Sequence, residues 1–264
     1  MSTTDTGPWL RPTPRSTQWT VRYALIALVG VTAVSSGLAL LLKVVGVYVG
    51  PAGTLIEDAV LIGALVPLAY SGALRPVDLG LRRVPGARSV GLVLLGWLAY
   101  VWGSRIWISA VHPPLARQNF AGISHNSVLV IVLAGFAAVV AAPAAEEIFF
   151  RGLLYRSLRN RLGVAPACAL AAVLFAIGHT QYPLLVRPET ALFGVIAALL
   201  YEHTGSLLPG IALHSFIDGG SFEISLTGKE SVVVTFFLLF AVVLLLGPPI
   251  KALRRRLMKE PARI

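Results

Sequence analysis

Apolar runs recur along this chain at the length a lipid bilayer demands. A hydrocarbon core about 30 Å thick is crossed by about 20 helical residues, and in lipid every backbone N–H and C=O must find its partner within the segment. Such runs are separated by polar, glycine and proline stretches, including YVGPAG, RPVDLGLRRVPGAR and RLGVAP. They predict helices near 22–47, 55–74, 89–111, 126–160, 164–180, 188–204, 207–218 with a loop extension, and 231–250. The expected fold class is all-α, a polytopic integral membrane protein of about eight transmembrane helices. Pro143 predicts a bend in the long fourth helix. The 264 residues are 56% hydrophobic and 13% charged, and the loops between runs are too short for a separate soluble domain. The first run exceeds the roughly 7–15 residues of a signal-peptide core and lacks a small-residue cleavage site, so it reads as a retained first span.

The formal net charge is +10, which raises the question of a nucleic-acid partner. The basic residues lie in RRVPGAR, RSLRNR and the tail KALRRRLMKEPAR, each beside an apolar run. Membrane lipids with anionic headgroups are the expected counterions, and no nucleic acid is expected, because neither a separate domain nor an aromatic platform accompanies the charge. Arg75, Arg82, Arg83, Arg88, Arg156, Arg159, Arg161 and the tail fall on one side of the expected topology, against Lys43, Arg117, Arg187 and Lys229 on the other. That bias places both termini in the cytoplasm of what reads as a bacterial plasma membrane. The lone Cys168 rules out an intrachain disulfide and reads as a small core residue.

Against this background the stretch AAEEIFFRGLLY, residues 144–155, stands out. A charge at the centre of a membrane helix costs about 2.5–3.5 kcal/mol even on lenient insertion scales. Glu147 has Arg151 four residues on, on its own helical face, whereas Glu146 points about 100° away and has no such neighbour. Two further polar sets follow, Phe175 to His179 in FAIGH and His214 to Asp218 in HSFID. Counted from the turn near Leu162–Gly163, Glu146 and His179 both stand about 24–25 Å away at 1.5 Å per residue. They can share one depth, and His214 can reach it if the basic hairpin projects beyond the hydrocarbon.

A carboxylate and two imidazoles meeting in a water-filled pocket can take a proton from water, hold a metal ion, or both, and either route generates a nucleophile for hydrolysis. Asp218 can orient His214, ligate a metal or, when protonated, donate a hydrogen bond. A zinc site would draw on Glu146, His179 and His214, with Asp218 available, but no HExxH pair preorganises one. The cofactor expectation is therefore none or Zn2+. His112 and His125 read as solvent or interface residues, Glu202 and His203 as a helix-end pair facing headgroups, and Trp97, Trp102 and Trp107 as packing or interfacial anchors.

The ordered motifs E146-E147-x-x-x-R151, F175-x-x-x-H179 and H214-x-x-x-D218 resemble those of the CAAX protease and bacteriocin-processing family, also called the type II CAAX prenyl endopeptidase or Abi family. The passage LFGVIAALLYEHTGSLLPGIALHSFID is similar to the family's approach to its third motif; upstream, only VDLGLRR is similar. The resemblance implies an intramembrane endopeptidase acting on a peptide or protein substrate at the membrane. It further implies that Glu146 with His179 activates water, that His214 with Asp218 stabilises the oxyanion, and that Glu147 and Arg151 support the helix. The family position matched by Asp218 is commonly Asn. The chain then divides into a disordered tail (1–20), N-terminal transmembrane helices (21–140), a catalytic helical core (141–220), and a last span with a basic tail (221–264). A non-catalytic membrane scaffold or immunity protein with the same fold is the alternative; a small transporter is disfavoured, since no inverted repeat is visible.

Overall fold

A computed structural model describes residues 21–45, 50–70, 79–81, 86–113, 126–180 and 182–227. Every regular element among them is helical: α1 Val21–Val44, α2 Gly50–Gly63, α3 Val66–Tyr70, α4 Gly86–Val111, α5 Val128–Leu162, α6 Val164–Gly178, α7 Arg187–Thr204 and α8 Leu208–Thr227. Among the described residues three helical stretches are long and apolar enough to cross a membrane, Val21–Leu42, Ser89–Val111 and Val128–Leu162, against the about eight spans expected for the whole chain. Outward-facing Ile26, Val29, Leu40 and Trp102 are each more than half exposed, giving an apolar exterior suited to lipid.

Three boundaries differ from the sequence expectation, the first being the start of α2 at Gly50 rather than at 55. The run expected at 55–74 breaks after Gly63 and restarts as α3, where Pro67 near the new start has no N–H to continue the earlier ladder. The last described helix continues to Thr227 rather than passing into a loop after 218. The run at 231–250 and the tails at 1–20 and 251–264 lie outside the described residues.

Turns fix the order of α5 to α8. Gly163, at φ +84°, takes the chain from α5 into α6, and Gly205, at φ +61°, ends α7 in the left-handed region that glycine enters without a Cβ clash. Among the described helices α6 and α7 make the most extensive pair. Their close approach rests on small residues, since a Cβ built on Gly194 would lie 3.0 Å from the Cα of Ala172. The core around them holds Phe149, Leu153, Leu154, Tyr155, Phe175, Ala197 and Leu213, all buried. α4 and α8 pack on α7, while α2 lies against the middle of α5.

Candidate active site

The geometry of the site begins with a proline. Pro143 cannot donate to the carbonyl of Val139, and the helix resolves this by widening instead of breaking: residues Ala137–Ala141 form a π turn in which the Ala142 N–H donates to the Ala137 carbonyl. The expected disturbance at Pro143 thus takes the form of a wide turn inside a continuous helix. A second wide stretch, Ile148–Tyr155, follows. Between them the short α-helical segment Ala142–Glu147 presents both glutamates.

Glu147 and Arg151 pair as their spacing predicts, with Nη1 donating to Oε1 at 2.8 Å and both side chains buried. The guanidinium also donates to the Gly194 carbonyl at 3.4 Å and sits 4.4 Å from the centre of the Phe175 ring, so α5 is tied to α6 and α7 through one cation. Glu147 does more than hold Arg151. Its Oε1 accepts from His214 Nδ1 at 3.2 Å, a cross-helix contact invisible to i,i+4 reasoning.

His179 caps α6. The last carbonyls of a helix lack intrahelical donors, and His179 Nδ1 lies 2.8 Å from the Phe175 carbonyl oxygen. A carbonyl only accepts, so Nδ1 carries the hydrogen and Nε2 of the neutral ring is left with its lone pair. The ring stacks on Tyr182, with centroids 5.9 Å apart and planes at 12°. His214 is fixed from the other side: Nδ1 faces Glu147, Nε2 lies 3.5 Å from Asp218 Oδ2, and the ring packs on Phe193 at 4.4 Å between centroids.

Glu146 stands between these imidazoles. Its Oε2 is 3.8 Å from Nε2 of His179 and 3.8 Å from Nε2 of His214, and this buried oxygen has no hydrogen-bond partner among the described residues. A cleft of about 270 Å³ opens onto the cluster, with His179, His214 and Asp218 in its lining. Four side chains from three helices, 72 positions apart at the extremes (218 − 146), therefore form one cluster, of which His179, His214 and Asp218 line the cleft and Glu146 lies beside both imidazoles.

Residues 127–220 match the family described as type II CAAX prenyl endopeptidase, Rce1-like. All seven residues named in the three motifs, Glu146, Glu147, Arg151, Phe175, His179, His214 and Asp218, fall inside this Rce1-like segment. An uncharacterized 24.3 kDa protein of Escherichia coli is 30% identical over 153 residues, covering 57% of this chain and 65% of that protein. The chain thus spans just under two thirds of that relative's length. No solved structure matches.

The donor set of the Rce1-like segment does not close around zinc as it stands. Ligands about 2.0–2.1 Å from a tetrahedral ion lie about 3.3–3.4 Å apart, whereas both Glu146–imidazole distances are 3.8 Å. Among the described residues, no group of three His, Cys, Asp or Glu side chains is arranged to hold a metal. The 3.8 Å gaps suit a bridging water that hydrogen-bonds to both sides.

Other residues resolve more simply. Glu202 does not face headgroups: it is fully buried, accepting from Arg159 at 3.0 Å and from the Tyr155 hydroxyl at 2.9 Å. A buried carboxylate needs such partners, and here Arg159 and Tyr155 supply them from one turn of α5. His203 Nδ1 instead meets the Leu199 carbonyl. Trp97 packs on Phe216, Trp107 donates to the Leu185 carbonyl, and Trp102 points outward. Cys168 is buried, and His112 is exposed at φ +48°; His125 lies outside the described residues. Sequence reasoning passed over Glu57 and Asp58 on α2. Asp58 is buried, with Oδ2 unpartnered among the described residues, and it lies within electrostatic range of Glu146 and His214. The rule that flagged Glu146, adjacent carboxylates inside an apolar run, applies equally to IEDAVL.

Proposed function

We propose that this chain is an intramembrane endopeptidase that hydrolyses a peptide bond at the membrane with water activated by Glu146 and His179. The observation that carries the reading is the position of Glu146 Oε2, buried, without a hydrogen bond, and 3.8 Å from the Nε2 atoms of both His179 and His214. The match of residues 127–220 to a family of prenyl endopeptidases supports it, as do the apolar helices around the cleft.

The chemistry follows from which atoms are committed. His179 Nδ1–H is held by the Phe175 carbonyl, so its Nε2 lone pair faces Glu146 and can share a water with it. In the proposed reaction the water oxygen attacks the scissile carbonyl carbon and its proton passes to Glu146. The C–N bond of the resulting tetrahedral intermediate then breaks as that proton moves to the leaving amine. The carbonyl oxygen gathers negative charge between these steps, and a preorganised donor there lowers the barrier. His214 fills this role only as the doubly protonated ring, because its Nδ1–H is given to Glu147. Asp218, 3.5 Å from Nε2, then orients that ring and balances its charge, a task for which an ionised carboxylate is suited.

Glu146→Gln tests the assignment. The amide keeps the size of the side chain and loses its basicity, so hydrolysis should fall about 10²–10⁴-fold while thermal unfolding in detergent stays near wild type. Wild-type rates from a folded Glu146→Gln protein would remove Glu146 from the reaction.

A further inference from the structure

The cleft holds a second carboxylate that the hydrolysis does not use. Glu189 lies in the first turn of α7, is partly buried, and lines the cleft together with Thr190 and Phe193. With Val186, just before the helix, these residues follow the 3- and 4-residue steps of one helical face, so the wall next to His214 is a single stripe of α7. Phe193 packs on the His214 ring, and Glu189 stands one turn away, about 6 Å along the axis. An extended peptide advances about 3.3 Å per residue, which sets Glu189 about two residues along the peptide from the level of Phe193 and His214, where the proposed reaction holds the scissile carbonyl.

Among the described residues, the surroundings of Glu189 provide no counterion: no Lys or Arg of that set lines the cleft, and Glu189 makes no ion pair with any of them. Arg187, two positions earlier, is turned to the preceding loop, where it donates to the Tyr182 carbonyl at 3.1 Å and the Thr180 carbonyl at 3.5 Å. An acid in the first turn of a helix is favoured by the helix dipole. That effect is indifferent to whether the side chain faces a cleft, whereas the position of Glu189 is not. Tyr100 and Ile108 of α4 join Val186 and Phe193 in the apolar part of the lining, with Thr190 and Ser221 as its neutral polar members, and in such a partly enclosed cleft a carboxylate attracts a cation more strongly than it would in open water.

We infer that Glu189 is a cation subsite that selects peptides carrying Lys or Arg about two residues from the cleaved bond. The inference rests on the endopeptidase reading above and adds the class of substrate. The full chain, purified in detergent, is given quenched fluorogenic octapeptides in which each position in turn holds Lys, Gln or Glu, with cut sites mapped by mass spectrometry. Wild type should prefer Lys over Glu at one position by about 30-fold in kcat/KM, the lower end for a charge pair that is not fully buried. Most of that preference should appear in KM. Glu189→Gln should flatten the ratio, and Glu189→Arg should invert it.

Equal cleavage of the Lys, Gln and Glu peptides by wild type, or an unchanged Lys preference in Glu189→Arg, overturns the subsite. Absence of hydrolysis from every peptide counts instead against the endopeptidase reading. The subsite is then decided by fluorescence anisotropy of the same peptides, with tighter binding of the Lys peptides to wild type than to Glu189→Arg expected and equal binding refuting it.

Discussion

Replacing Glu147 by Ala isolates the part of the site that supports chemistry without performing it. Glu147 is fully enclosed and Arg151 nearly so, with 2.8 Å between them. Removing the carboxylate strands a buried guanidinium, a loss typically of about 3–5 kcal/mol. The bond to Gly194 and the Phe175 face remain and keep the expected value toward the lower end. Loss of the 3.2 Å contact to His214 adds about 1 kcal/mol. A total near 4 kcal/mol corresponds to a fall of about 8–16 °C in Tm at about 2–4 °C per kcal/mol. The chain carries its own reporter: Cys168 is the single cysteine and is buried, so a thiol-reactive fluorophore lights up as the protein opens in detergent. The double replacement Glu147→Met with Arg151→Met removes both charges together and should recover most of the lost stability. Hydrolysis should stay low in the double variant, because His214 has still lost its Nδ1 acceptor. A Tm for Glu147→Ala within a degree of wild type would mean that Arg151 reaches water or another anion, and the argument for a buried pair would collapse.

Further expectations concern topology, metal and packing. Asn160 is exposed on the basic hairpin whereas Ser157 is buried, so a cysteine at 160 in a Cys168→Ser background is the useful label site; it should react with an impermeant maleimide only after cells are permeabilised, and labelling of intact cells would reverse the orientation. Peptide hydrolysis should survive prolonged chelation, with elemental analysis finding no stoichiometric zinc; loss of activity on chelation with rescue by zinc would make Glu146, His179 and His214 ligands. Gly194→Ala should destabilise by about 1–3 kcal/mol through overpacking against Ala172, read as a lower Tm, and an unchanged Tm would show that α6 and α7 can separate freely.

The site was legible in the sequence to the extent that it is local. Glu147 with Arg151 and His214 with Asp218 each sit four apart on one helix, and helical periodicity alone sets them side by side. Glu146, His179 and His214 were legible as charges out of place in apolar runs, with depth counted from the turn at Gly163. What escaped were contacts between helices. Nothing in the spacing joins Glu147 to His214 across 67 positions or Glu202 to Arg159 across 43, because rotation of one helix about another is decided by packing. The wide turns escaped for a different reason. They change which carbonyl each N–H meets, and apolar residues on both sides leave that choice no trace in the hydrophobic pattern, apart from the single cue of Pro143.

The wide turn at Ala137–Ala141 also bears on how such a chain can vary. A π turn is a helix carrying one residue more than its ladder needs. Deleting that residue would restore the regular ladder and turn everything on its amino-terminal side by about 100° with a shift of about 1.5 Å. Glu146, His179, His214 and Asp218 lie on the other side of the joint and would keep their register with one another, whereas α2, packed on the Glu146 segment, and α4, which lines the cleft, lie before it. The front half of the protein is in this sense geared separately from the back, and single-residue insertions or deletions at the joint offer descendants a way to re-aim α2 and the α4 wall of the cleft while the reacting side chains keep their register with one another.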